Sequence, residues 1–357
     1  MNWFNQNMYN VVNHISIKGL SVCVPKQVSK TMDYDWITEE ERISFIKNTG
    51  VEEKRVASKT TATSDMCEKS ANALIEKLDW ERESIDVLIF VSQSPDYFLP
   101  ATSAILQHKL GLKKELIAFD INLGCSGYIY GLQVISNLLS NGNFKRGLLL
   151  AGDKSTLSVN YKDKSTFPLF GDAGSATALE FSKDAPPLFF NLYTDGSGYK
   201  SIIVEDGGSR NHVSEKSFIE TKIDDGIIRC PINLVLDGME IFNFALKEVA
   251  FSIETILKES HTDKSTIDYF VMHQANKMIN ETVRKKCKVE PDKVPYSINK
   301  FGNTSSASVP LTMLYKLKQE LESRHLKLLL SGFGVGYSWG NCILETNNLI
   351  CTDILEI

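Results

Sequence analysis

A cysteine flanked by glycines is the residue of this sequence best suited to covalent chemistry. Cys125 lies in a Gly-Cys-Ser-Gly run that begins at Gly124, between a strand-like segment at 117–123 and a helix-like segment at 127–140. Glycines permit a sharp turn and close approach of a substrate. A thiol at a helix N-terminus meets the positive end of the helix dipole, which lowers its pKa and favours the thiolate. We therefore predict a nucleophile; a small buried core cysteine is the alternative.

A histidine has a comparable setting later in the chain. His273 follows the buried strand-like segment 268–272 and precedes a helix-like segment at 275–287, so it is placed as Cys125 is in the first half. Functional sites of α/β proteins assemble where strands end along one edge of a sheet. We predict that His273 belongs to such a site, and a hydrogen-bonded structural histidine is the alternative.

Two further segments carry groups that can bind a carbonyl oxygen. Asn303, in the Phe-Gly-Asn-Thr-Ser run that begins at Phe301, opens a predicted helix, and it either caps that helix or directs its amide N–H at a carbonyl. Residues 332–340 are glycine-rich. They lack the helix, third glycine and acidic residue of a dinucleotide fingerprint, and the lysine of a phosphate loop. We predict a loop whose backbone N–H groups stabilise an oxyanion.

The spacing of the candidate residues disfavours a serine hydrolase and a metal site. The nucleophile of a serine hydrolase lies in G-x-S-x-G, but Tyr128 stands at the last glycine position here. The histidines and cysteines are not spaced as metal ligands, and there is no Cys-x-x-Cys. We predict no metal site.

Short apolar strands alternate with amphipathic helices along the chain, which predicts an α/β fold. The predicted strands are 86–91, 117–123, 147–151 and 268–272. The predicted helices are 66–78, 127–140, 239–258 and 275–287.

The two halves of the chain resemble each other. Residues 85–93 form a predicted strand that begins with Ile-Asp and ends with Ser-Gln. Residues 267–274 form a similar strand that begins with Ile-Asp and ends with His-Gln. The run Leu-Leu-Leu-Ala-Gly at 148–152 returns as Leu-Leu-Leu-Ser-Gly at 328–332. Both repeats are roughly 180 residues apart and in the same order, which indicates an internal duplication.

The predicted boundary between the halves lies in the loop-rich residues 181–235. On this division the chain has a loosely attached, Asn-rich arm at 1–13, a half with the nucleophile at 14–182, and a half with the histidine and asparagine at 183–357.

Composition disfavours several classes of protein. The 357 residues are 43% hydrophobic and 23% charged, which is typical of a globular protein and not of a disordered one. The net charge of −5 disfavours nucleic-acid binding. Apolar runs reach only about five residues, whereas a membrane-spanning helix needs about 20. We recognise no signal peptide, and the widely spaced cysteines favour reduced thiols and a cytoplasmic protein.

Taken together, these segments resemble the β-ketoacyl-acyl-carrier-protein synthase III family of the thiolase superfamily, over roughly residues 14–350. The motifs that carry the resemblance are Gly124-Cys125-Ser126-Gly127, His273-Gln274-Ala275-Asn276, Phe301-Gly302-Asn303-Thr304-Ser305, Ala307-Ser308-Val309-Pro310, Phe170-Gly171-Asp172-Ala173-Gly174 and the stretch 332–340. The resemblance implies a thiolase-like, duplicated five-layer α/β/α/β/α fold and a homodimer. It implies no metal and no redox cofactor.

The resemblance also implies how an acyl group is bound. Cys125 would attack an acyl thioester and hold the acyl group covalently. The tetrahedral oxyanion would be stabilised by backbone N–H groups of Cys125 and of the loop that comprises Gly334, Val335 and Gly336.

Other residues are implied for the second substrate. His273 and Asn303 would donate hydrogen bonds to a malonyl thioester carbonyl as decarboxylation turns it into an enolate, and Phe333 would exclude water. The resemblance places further substrate contacts at Asn276, Leu99, Phe170, Phe242 and Gly238.

Several positions depart from the family pattern. Residues 44–48 lack the Trp and Arg with which the housekeeping enzymes bind the adenine of coenzyme A, and Lys164 replaces another Arg. These changes favour a carrier-protein-bound donor and a specialised pathway. Met278 stands where an Arg is frequent. Leu99 stands where the family has a dimer-partner residue, usually Phe, at the end of the acyl pocket, which indicates a longer or branched acyl group.

Basic side chains that could bind a carrier protein remain nearby, and a solvated helix face is the alternative reading. These candidates are Lys277, Lys285 and Lys286.

We therefore predict a cytoplasmic, homodimeric acyltransferase. It would perform the decarboxylative Claisen condensation of an acyl-Cys125 intermediate with a malonyl-carrier-protein thioester, and the product would be a 3-oxoacyl thioester. The predicted partners are an acyl-CoA or acyl-carrier-protein donor and malonyl-carrier protein, with no nucleic acid and no membrane. The alternatives are acyl transfer to an amine or hydroxyl on the same fold, and a non-catalytic binding subunit. The complete Cys-His-Asn set disfavours both.

Overall fold

Two large β-sheets, with helices on their faces, form the framework of the protein. This is a computed structural model, and it describes residues 9–357. The strands are β1 (Tyr9–Val12), β2 (Ile15–Val24), β3 (Val28–Lys30), β4 (Glu53–Arg55), β5 (Val87–Val91), β6 (Ile117–Ile121), β7 (Arg146–Lys154), β8 (Asp172–Phe181), β9 (Leu188–Thr194), β10 (Ile202–Val204), β11 (Thr221–Asp224), β12 (Ile227–Arg229), β13 (Leu234–Leu236), β14 (Tyr269–Met272), β15 (His325–Gly334), β16 (Ser338–Asn347), β17 (Ile350–Cys351) and β18 (Leu355–Glu356). The helices are α1 (Glu39–Thr49), α2 (Thr63–Lys77), α3 (Thr102–Lys109), α4 (Gly127–Leu139), α5 (Gly238–Phe244), α6 (Ala250–Glu259), α7 (Lys277–Lys286), α8 (Ile298–Phe301) and α9 (Ser308–Ser323).

The first sheet has the strand order β17-β2-β8-β7-β5-β6, and β18 also pairs with β2. Strand β5 lies between two parallel neighbours, β6 and β7, and every residue of it is buried. A parallel strand covered on both faces has no polar side to alternate with, which explains its continuous apolar sequence.

The second sheet repeats this arrangement with the order β1-β9-β16-β15-β14. In the first sheet, β5 pairs in parallel with β7, and β7 pairs antiparallel with β8. In the second sheet, β14 pairs in parallel with β15, and β15 pairs antiparallel with β16. The pairing of Leu88 with Leu148 corresponds to that of Tyr269 with Leu328. This repeated pairing confirms the internal duplication.

The duplication corrects one sequence-based comparison. Because β14 corresponds to β5, His273 corresponds to Ser92, the residue that follows β5. It does not correspond to Cys125, which follows β6 and precedes α4. Many strands of an α/β protein lead into helices, so that local pattern alone does not identify equivalent strands.

The ends of the chain are exchanged between the two sheets. Strand β1 pairs with β9 in the second sheet, from Tyr9↔Asn191 to Val12↔Leu188, although β1 belongs to the first half in sequence. Strands β17 and β18 pair with β2 in the first sheet. The prediction of a loosely attached arm at 1–13 is therefore wrong for residues 9–12, and residues 1–8 lie outside the described residues. The divisions at 14–182 and 183–357 do not separate the sheets cleanly.

Five layers result from the placement of the helices. The apolar faces of α4 and α9 lie in one core together with residues of both sheets. Helices α2 and α3 cover the outer face of the first sheet, and α6 and α7 cover that of the second. Close packing of α4 depends on Gly131, where a Cβ would lie 2.7 Å from Val91 Cγ2. The predicted α/β/α/β/α fold is confirmed.

The predicted helices are present, although their ends differ from the predicted ones by up to three residues. Helix α7 begins at Lys277 and not at 275, because the Asn276 side chain caps it by accepting a hydrogen bond from the Ile279 N–H at 2.7 Å. The predicted helix 239–258 consists of α5 and α6 joined by a π-helical turn, Ala245–Val249. No helix within residues 9–357 has the length and apolar character needed to cross a membrane.

Candidate functional site

The nucleophile candidate lies in a tight turn between β6 and α4. A Cβ at Gly124 would lie 2.3 Å from Gln93 Oε1, and one at Gly127 would lie 2.5 Å from Val91 Cγ1. Both glycines are therefore required for the turn to pack against the end of β5. The Cys125 side chain is partly accessible and lines a cavity of about 160 Å³.

The Cys125 thiol is protonated at neutral pH. Burial, followed by the negative charge of Asp153, raises its pKa to about 11, although hydrogen bonds to the Val335 N–H and the Ser305 hydroxyl act in the opposite direction. The predicted lowering of this pKa is therefore wrong. Burial disfavours the charged thiolate relative to the neutral thiol.

His273 follows β14 and reaches the same cavity from the second half of the chain. Its Nδ1 lies 2.7 Å from Ser308 Oγ, and the Phe333 ring packs edge-on against the imidazole with centroids 5.5 Å apart. Burial lowers the pKa of His273 to about 3, against an opposing effect of the Ser305 backbone. The imidazole is therefore neutral and can donate one N–H.

Asn303 is held by its backbone between two glycine-containing segments. It forms an isolated parallel bridge with Phe170, in which the Gly171 N–H donates to the Asn303 carbonyl at 3.0 Å. A Cβ at Gly171 would lie 2.1 Å from the Phe301 carbonyl oxygen, so no larger residue fits. The Asn303 side chain accepts from the Ser305 N–H at 2.9 Å, and its amide donates weakly to the Ala275 carbonyl.

The predicted oxyanion loop is shorter than the glycine-rich stretch. Strand β15 continues to Gly334 and β16 begins at Ser338, so the predicted loop at 332–340 is mostly a β-hairpin with a turn at 335–337. Glycines in β15 permit close approach to the nucleophile: a Cβ at Gly334 would lie 2.6 Å from Cys125 Cβ. Backbone hydrogen bonding by Val335 and by Cys125 itself lowers the pKa of the thiol, against the larger effect of burial.

Two serine hydroxyls connect the nucleophile turn to this hairpin. Ser126 Oγ and Ser338 Oγ lie 2.6 Å apart, and the Ser338 hydroxyl also contacts the Val335 carbonyl oxygen at 2.9 Å. The contact with Ser338 holds the carbonyl group of Val335, which belongs to the peptide bond that follows Val335. The Val335 N–H belongs to the peptide bond that precedes it.

The cavity is polar near Cys125 and apolar elsewhere. The apolar side chains that line it are Leu157, Leu169, Phe170, Ile202, Leu234, Leu236, Ile241, Ile279, Phe333 and Val335. The predicted residues that line it are Cys125, His273, Asn303, Asn276, Phe170, Gly238, Phe333, Gly334 and Val335. A neutral imidazole, an amide and two backbone donors facing such a wall can stabilise a negatively charged oxygen without water.

Three predicted substrate or loop residues do not line the cavity. Gly336 lies beyond Val335 at the turn of the hairpin. Phe242 is half-buried and packs against the core of the second half. Leu99 is 79% exposed, next to Tyr97 and Phe98, which are also exposed.

The predicted basic contacts lie outside the cavity, on helix α7. Lys277 and Lys285 are exposed. Lys286 is exposed as well, but its ammonium donates to the Leu246 carbonyl at 2.9 Å. Within residues 9–357 no three side chains among His, Cys, Asp and Glu are placed to hold a metal ion.

Two polar residues at the centre of the site, Asp153 and Ser305, were not predicted from the sequence. Asp153 is 3% exposed and lines the cavity at the end of β7. Ser305 lines the same cavity, and its N–H donates to the Asn303 side chain at 2.9 Å. Asp153 directly follows the repeated Leu-Leu-Leu-Ala-Gly run, and that position was the available signal.

Two family models match the chain, one in each half. The model of 3-oxoacyl-[acyl-carrier-protein (ACP)] synthase III matches residues 119–196, and the model of its C-terminal part matches residues 257–346. The β-ketoacyl-[acyl-carrier-protein] synthase III of Streptococcus agalactiae is 33% identical over 336 residues, which is 92% of this chain and 98% of that protein. A putative 3-oxoacyl-[acyl-carrier-protein] synthase 3 of Campylobacter jejuni is 32% identical over 96% of this chain and 94% of its own length.

Solved structures agree with these matches. A 3-oxoacyl-(acyl-carrier protein) synthase from Burkholderia xenovorans is 36% identical and superimposes with a TM-score of 0.93, over 99% of this chain and all of that one. Likeness of this extent defines a thiolase-fold acyltransferase. Within that class, the chain belongs to the β-ketoacyl-acyl-carrier-protein synthase III family, as the motifs had indicated.

Proposed function

We propose that the protein condenses an acyl group held on Cys125 with a malonyl-carrier-protein thioester, with loss of CO₂, to give a 3-oxoacyl thioester. The observation that carries this proposal is the meeting of Cys125, His273 and Asn303 at one largely apolar cavity. The names of the relatives, which are synthases of 3-oxoacyl or β-ketoacyl thioesters, support the same reaction.

The first step is acylation. The Cys125 sulfur attacks the thioester carbonyl carbon, and the oxygen that gains the negative charge accepts hydrogen bonds from the N–H groups of Cys125 and Val335. Collapse of the tetrahedral intermediate breaks the carbon–sulfur bond of the donor and releases its thiol.

The second step is decarboxylation and condensation. The malonyl thioester carbonyl accepts hydrogen bonds from His273 and Asn303, so that the electron pair of the breaking C–CO₂ bond is held as an enolate. The buried Phe333 ring excludes water, which disfavours the charged carboxylate relative to neutral CO₂. The enolate carbon then attacks the acyl-Cys125 carbonyl, and the Cys125 thiolate leaves.

Contacts around Lys164 support a carrier-bound acyl donor. The Lys164 ammonium contacts Glu41 at 2.7 Å, and its N–H donates to the Gly226 carbonyl at 2.9 Å, in the turn between β11 and β12. Arg229, on β12, pairs with the buried Asp163 at 2.8 Å. Lys164 is therefore less available for a coenzyme A phosphate than an unpaired cation would be. We propose acyl-carrier protein as the preferred donor, with acyl-CoA as the other candidate.

Helix α7 supplies the proposed surface for the carrier protein. It begins beside the cavity, and its exposed Lys277 and Lys285, with Lys286 near its end, carry positive charge. We expect these lysines to attract the acidic surface of a carrier protein, in a salt-dependent manner.

A homodimer and a cytoplasmic location complete the proposal. The adjacent Tyr97, Phe98 and Leu99 form an exposed apolar segment, and such segments commonly mark an interface between proteins. All seven cysteines are free, which suits a reducing compartment.

Intact-protein mass spectrometry tests the covalent step. The parent protein and the Cys125→Ala variant are incubated, without malonyl substrate, with a panel of acyl-CoA and acyl-carrier-protein thioesters. A mass gain on the parent alone is expected, and the thioester that gives it identifies the acyl group and the carrier. Malonyl-carrier protein is then added to the acylated enzyme, and a 3-oxoacyl product with loss of the adduct is expected.

Two outcomes would overturn the proposal. An acyl adduct on Cys125→Ala would exclude Cys125 as the nucleophile. Transfer of the bound acyl group to an amine or hydroxyl, without release of CO₂ from the malonyl thioester, would exclude condensation.

A further inference from the structure

A fully buried asparagine on α7 bonds the backbone of His273, to which the proposed function assigns the second step. Asn280 is 0% exposed, and its Nδ2 lies 2.9 Å from the His273 carbonyl oxygen. Because a carbonyl oxygen only accepts, the nitrogen end of the Asn280 amide must face it. The bond spans the junction between β14, which ends one residue before His273, and α7.

Other elements hold the opposite side of His273. Its N–H donates to the Ser331 carbonyl on β15 at 2.7 Å, and its Nδ1 lies 2.7 Å from Ser308 Oγ on α9. The Phe333 ring, also on β15, packs edge-on against the imidazole. These contacts hold the N–H side of the residue and its ring, but they do not touch its carbonyl group.

The carbonyl side of His273 depends on α7. The Ala275 N–H also donates to this carbonyl, at 3.0 Å, but Ala275 belongs to the same short turn and moves with His273. Asn280 is part of a helix whose first turn is capped by Asn276. A residue has only two soft backbone dihedral angles, so bonds on both sides of His273 fix the direction in which its imidazole leaves the chain.

Burial makes an asparagine at position 280 unfavourable for stability alone. Its neighbours on the buried face of α7 include the apolar Ile279 and Val283. A buried amide costs free energy unless its donor and its acceptor are both bonded. The Oδ1 of Asn280 has no hydrogen-bond partner in the described part of the chain. The His273 carbonyl would keep the Ala275 N–H without Asn280, so an apolar side chain of the same shape would leave no backbone group unpaired.

A second buried amide in the same region shows the contrast. Gln274, in the turn between β14 and α7, donates to the Met272 carbonyl at 2.8 Å and accepts from the Ser297 N–H at 3.0 Å. Both ends of this amide are bonded, and it joins the turn to the start of α8, as a structural amide does. Asn280 is bonded at one end only, and that end faces His273.

We propose that Asn280 is a positioning residue for His273. Its amide fixes the His273 carbonyl, and thereby the imidazole that donates to the enolate oxygen of the malonyl thioester. Asn280 does not line the cavity, so it acts through His273. This inference rests on the proposed function, because it takes His273 to be a donor in decarboxylation.

Asn280→Leu tests this role, because leucine has a similar shape and lacks the donor. Asn191→Leu is the matched control. Asn191 is 1% exposed and its Nδ2 also donates to a backbone carbonyl, that of Ser252, at 2.9 Å, but it does not line the cavity. Each protein is first acylated on Cys125 with the thioester that labels the parent in the mass-spectrometric panel.

Malonyl N-acetylcysteamine thioester is then added, and the release of CO₂ is measured. This small substrate needs no carrier-binding surface, which is proposed to lie on the same helix. A change in CO₂ release therefore reports on the site and not on the docking of a carrier protein.

We expect Asn280→Leu to lower kcat for CO₂ release about tenfold, because a displacement of about 1 Å at a catalytic group can cost 10²-fold. KM and the acylation rate should stay close to those of the parent. Its Tm should equal or exceed that of the parent, since an apolar group replaces a half-bonded buried amide. Asn191→Leu should show the reverse, a lower Tm at an unchanged rate, because it also loses the bond from Asn341.

A double-mutant cycle decides whether Asn280 acts through His273. Asn280→Leu is combined with His273→Ala, and CO₂ release is compared with that of each single variant. An amide that only positions the imidazole has no effect once the imidazole is gone, so we expect no further loss in the double variant. The same fold-loss in both backgrounds would overturn the proposal, as would CO₂ release by Asn280→Leu at the parent rate.

Asn280→Ala is the second variant, for use if Asn280→Leu does not fold. It should be less stable than the parent because it leaves a cavity, but the same cycle applies to it. A loss of CO₂ release that disappears in the His273→Ala background supports the positioning role, and a loss that persists there overturns it.

Failure of the proposed function would give a different result. A parent protein that no thioester labels would overturn acylation, and a His273→Ala variant that releases CO₂ at the parent rate would overturn the role of His273; the inference falls with either. If His273→Ala is impaired and Asn280→Leu is not, only the positioning role of Asn280 is wrong.

Discussion

The two halves of the molecule share one strand arrangement but carry opposite chemistry at equivalent positions. The hairpin of β7 and β8 in the first half corresponds to that of β15 and β16 in the second. Near the end of the first strand, Asp153 in one half corresponds to Phe333 in the other. At the end of the neighbouring strand, Ser92 corresponds to His273. At these two positions the first half thus has a carboxylate and a hydroxyl, and the second half has a phenyl ring and an imidazole.

This difference separates two tasks that require different surroundings. The first half supplies the Cys125 thiol, and the Asp153 carboxylate, with the Ser92 hydroxyl bound to it, lines the same cavity. Removing CO₂ requires a dry surface and a neutral donor, and the second half provides Phe333 and His273. The duplication therefore allows one cavity to contain two environments, each set by its own sheet.

The halves also exchange single groups. Gly334, from the second half, approaches Cys125 in the first so closely that a Cβ there would lie 2.6 Å from Cys125 Cβ. Ser306, also from the second half, donates its hydroxyl to the Asp153 carboxylate in the first half at 2.8 Å. Acylation is therefore not confined to the first half, and the comparison can be tested by changing residues on either side.

The largest expected effect comes from His273→Ala and Asn303→Ala. Each removes a donor to the enolate oxygen, so decarboxylation of malonyl thioester should fall by about 10³-fold. Acylation of Cys125 should remain within about tenfold of the parent. Release of CO₂ and the mass of the adduct are measured on the same preparation. Condensation at the parent rate by both variants would show that decarboxylation does not depend on the second half.

A smaller but substantial effect is expected for Gly334→Ala. The new methyl would overlap Cys125 Cβ and Sγ, at 2.6 and 2.9 Å, and would displace the Val335 N–H from the oxyanion position. Acylation should slow by about 10²-fold, as for loss of one oxyanion donor. Gly208→Ala is the control, because its Cβ meets no atom within 4 Å. Equal acylation rates in both variants would mean that the hairpin of β15 and β16 does not contribute to the acylation of Cys125.

The pH dependence of stability reports on the neutral His273. Its pKa of about 3 in the folded protein lies below the ordinary value of 6.5. Between these values the unfolded state binds an extra proton, so acidification favours unfolding by up to about 1.4 kcal/mol per pH unit. Urea unfolding of the parent should therefore lose stability from pH 6.5 downward more steeply than that of His273→Gln. Parallel curves would contradict a neutral buried imidazole.

The smallest expected effect comes from the hydroxyl pair that joins the halves. Ser126→Ala loses its 2.6 Å contact with Ser338, which should cost about 1 kcal/mol and slow acylation a few-fold. Ser338→Ala should be worse, because it also loses the contact with the Val335 carbonyl. Thermal unfolding and acylation rates are compared. If Ser126→Ala is the more impaired variant, the contact of Ser338 with the Val335 carbonyl does not support acylation.

The sequence predicted the fold well because its signals are local. Apolar strands, amphipathic helices and the repeated Leu-Leu-Leu run were sufficient for a duplicated α/β fold. The motifs around Cys125, His273 and Asn303 lead to one cavity, since each follows a β-strand or a short turn at the same edge. The first strand was missed because Tyr9–Val12 is only four residues long and its partner, β9, lies far away in sequence.

The electrostatics could not be predicted in the same way. A cysteine at a helix N-terminus suggests a lowered pKa, yet burial and Asp153 raise the pKa of Cys125. Burial depends on what packs around the turn, including a hairpin about 200 residues away, and no local pattern contains that information. For the same reason Asp153 was not predicted to line the site.

The exchange of chain ends has a consequence for synthesis of the protein. The outer edge of β2 is completed by β17 and β18, and backbone bonds join Ile357 to Val24 at 3.0 Å and to Lys26 at 2.9 Å. While the ribosome still holds residues 350–357, this edge has unpaired N–H and C=O groups, which other strands can bind. The nascent first half is therefore exposed to aggregation until β17 and β18 have left the ribosome and paired with β2.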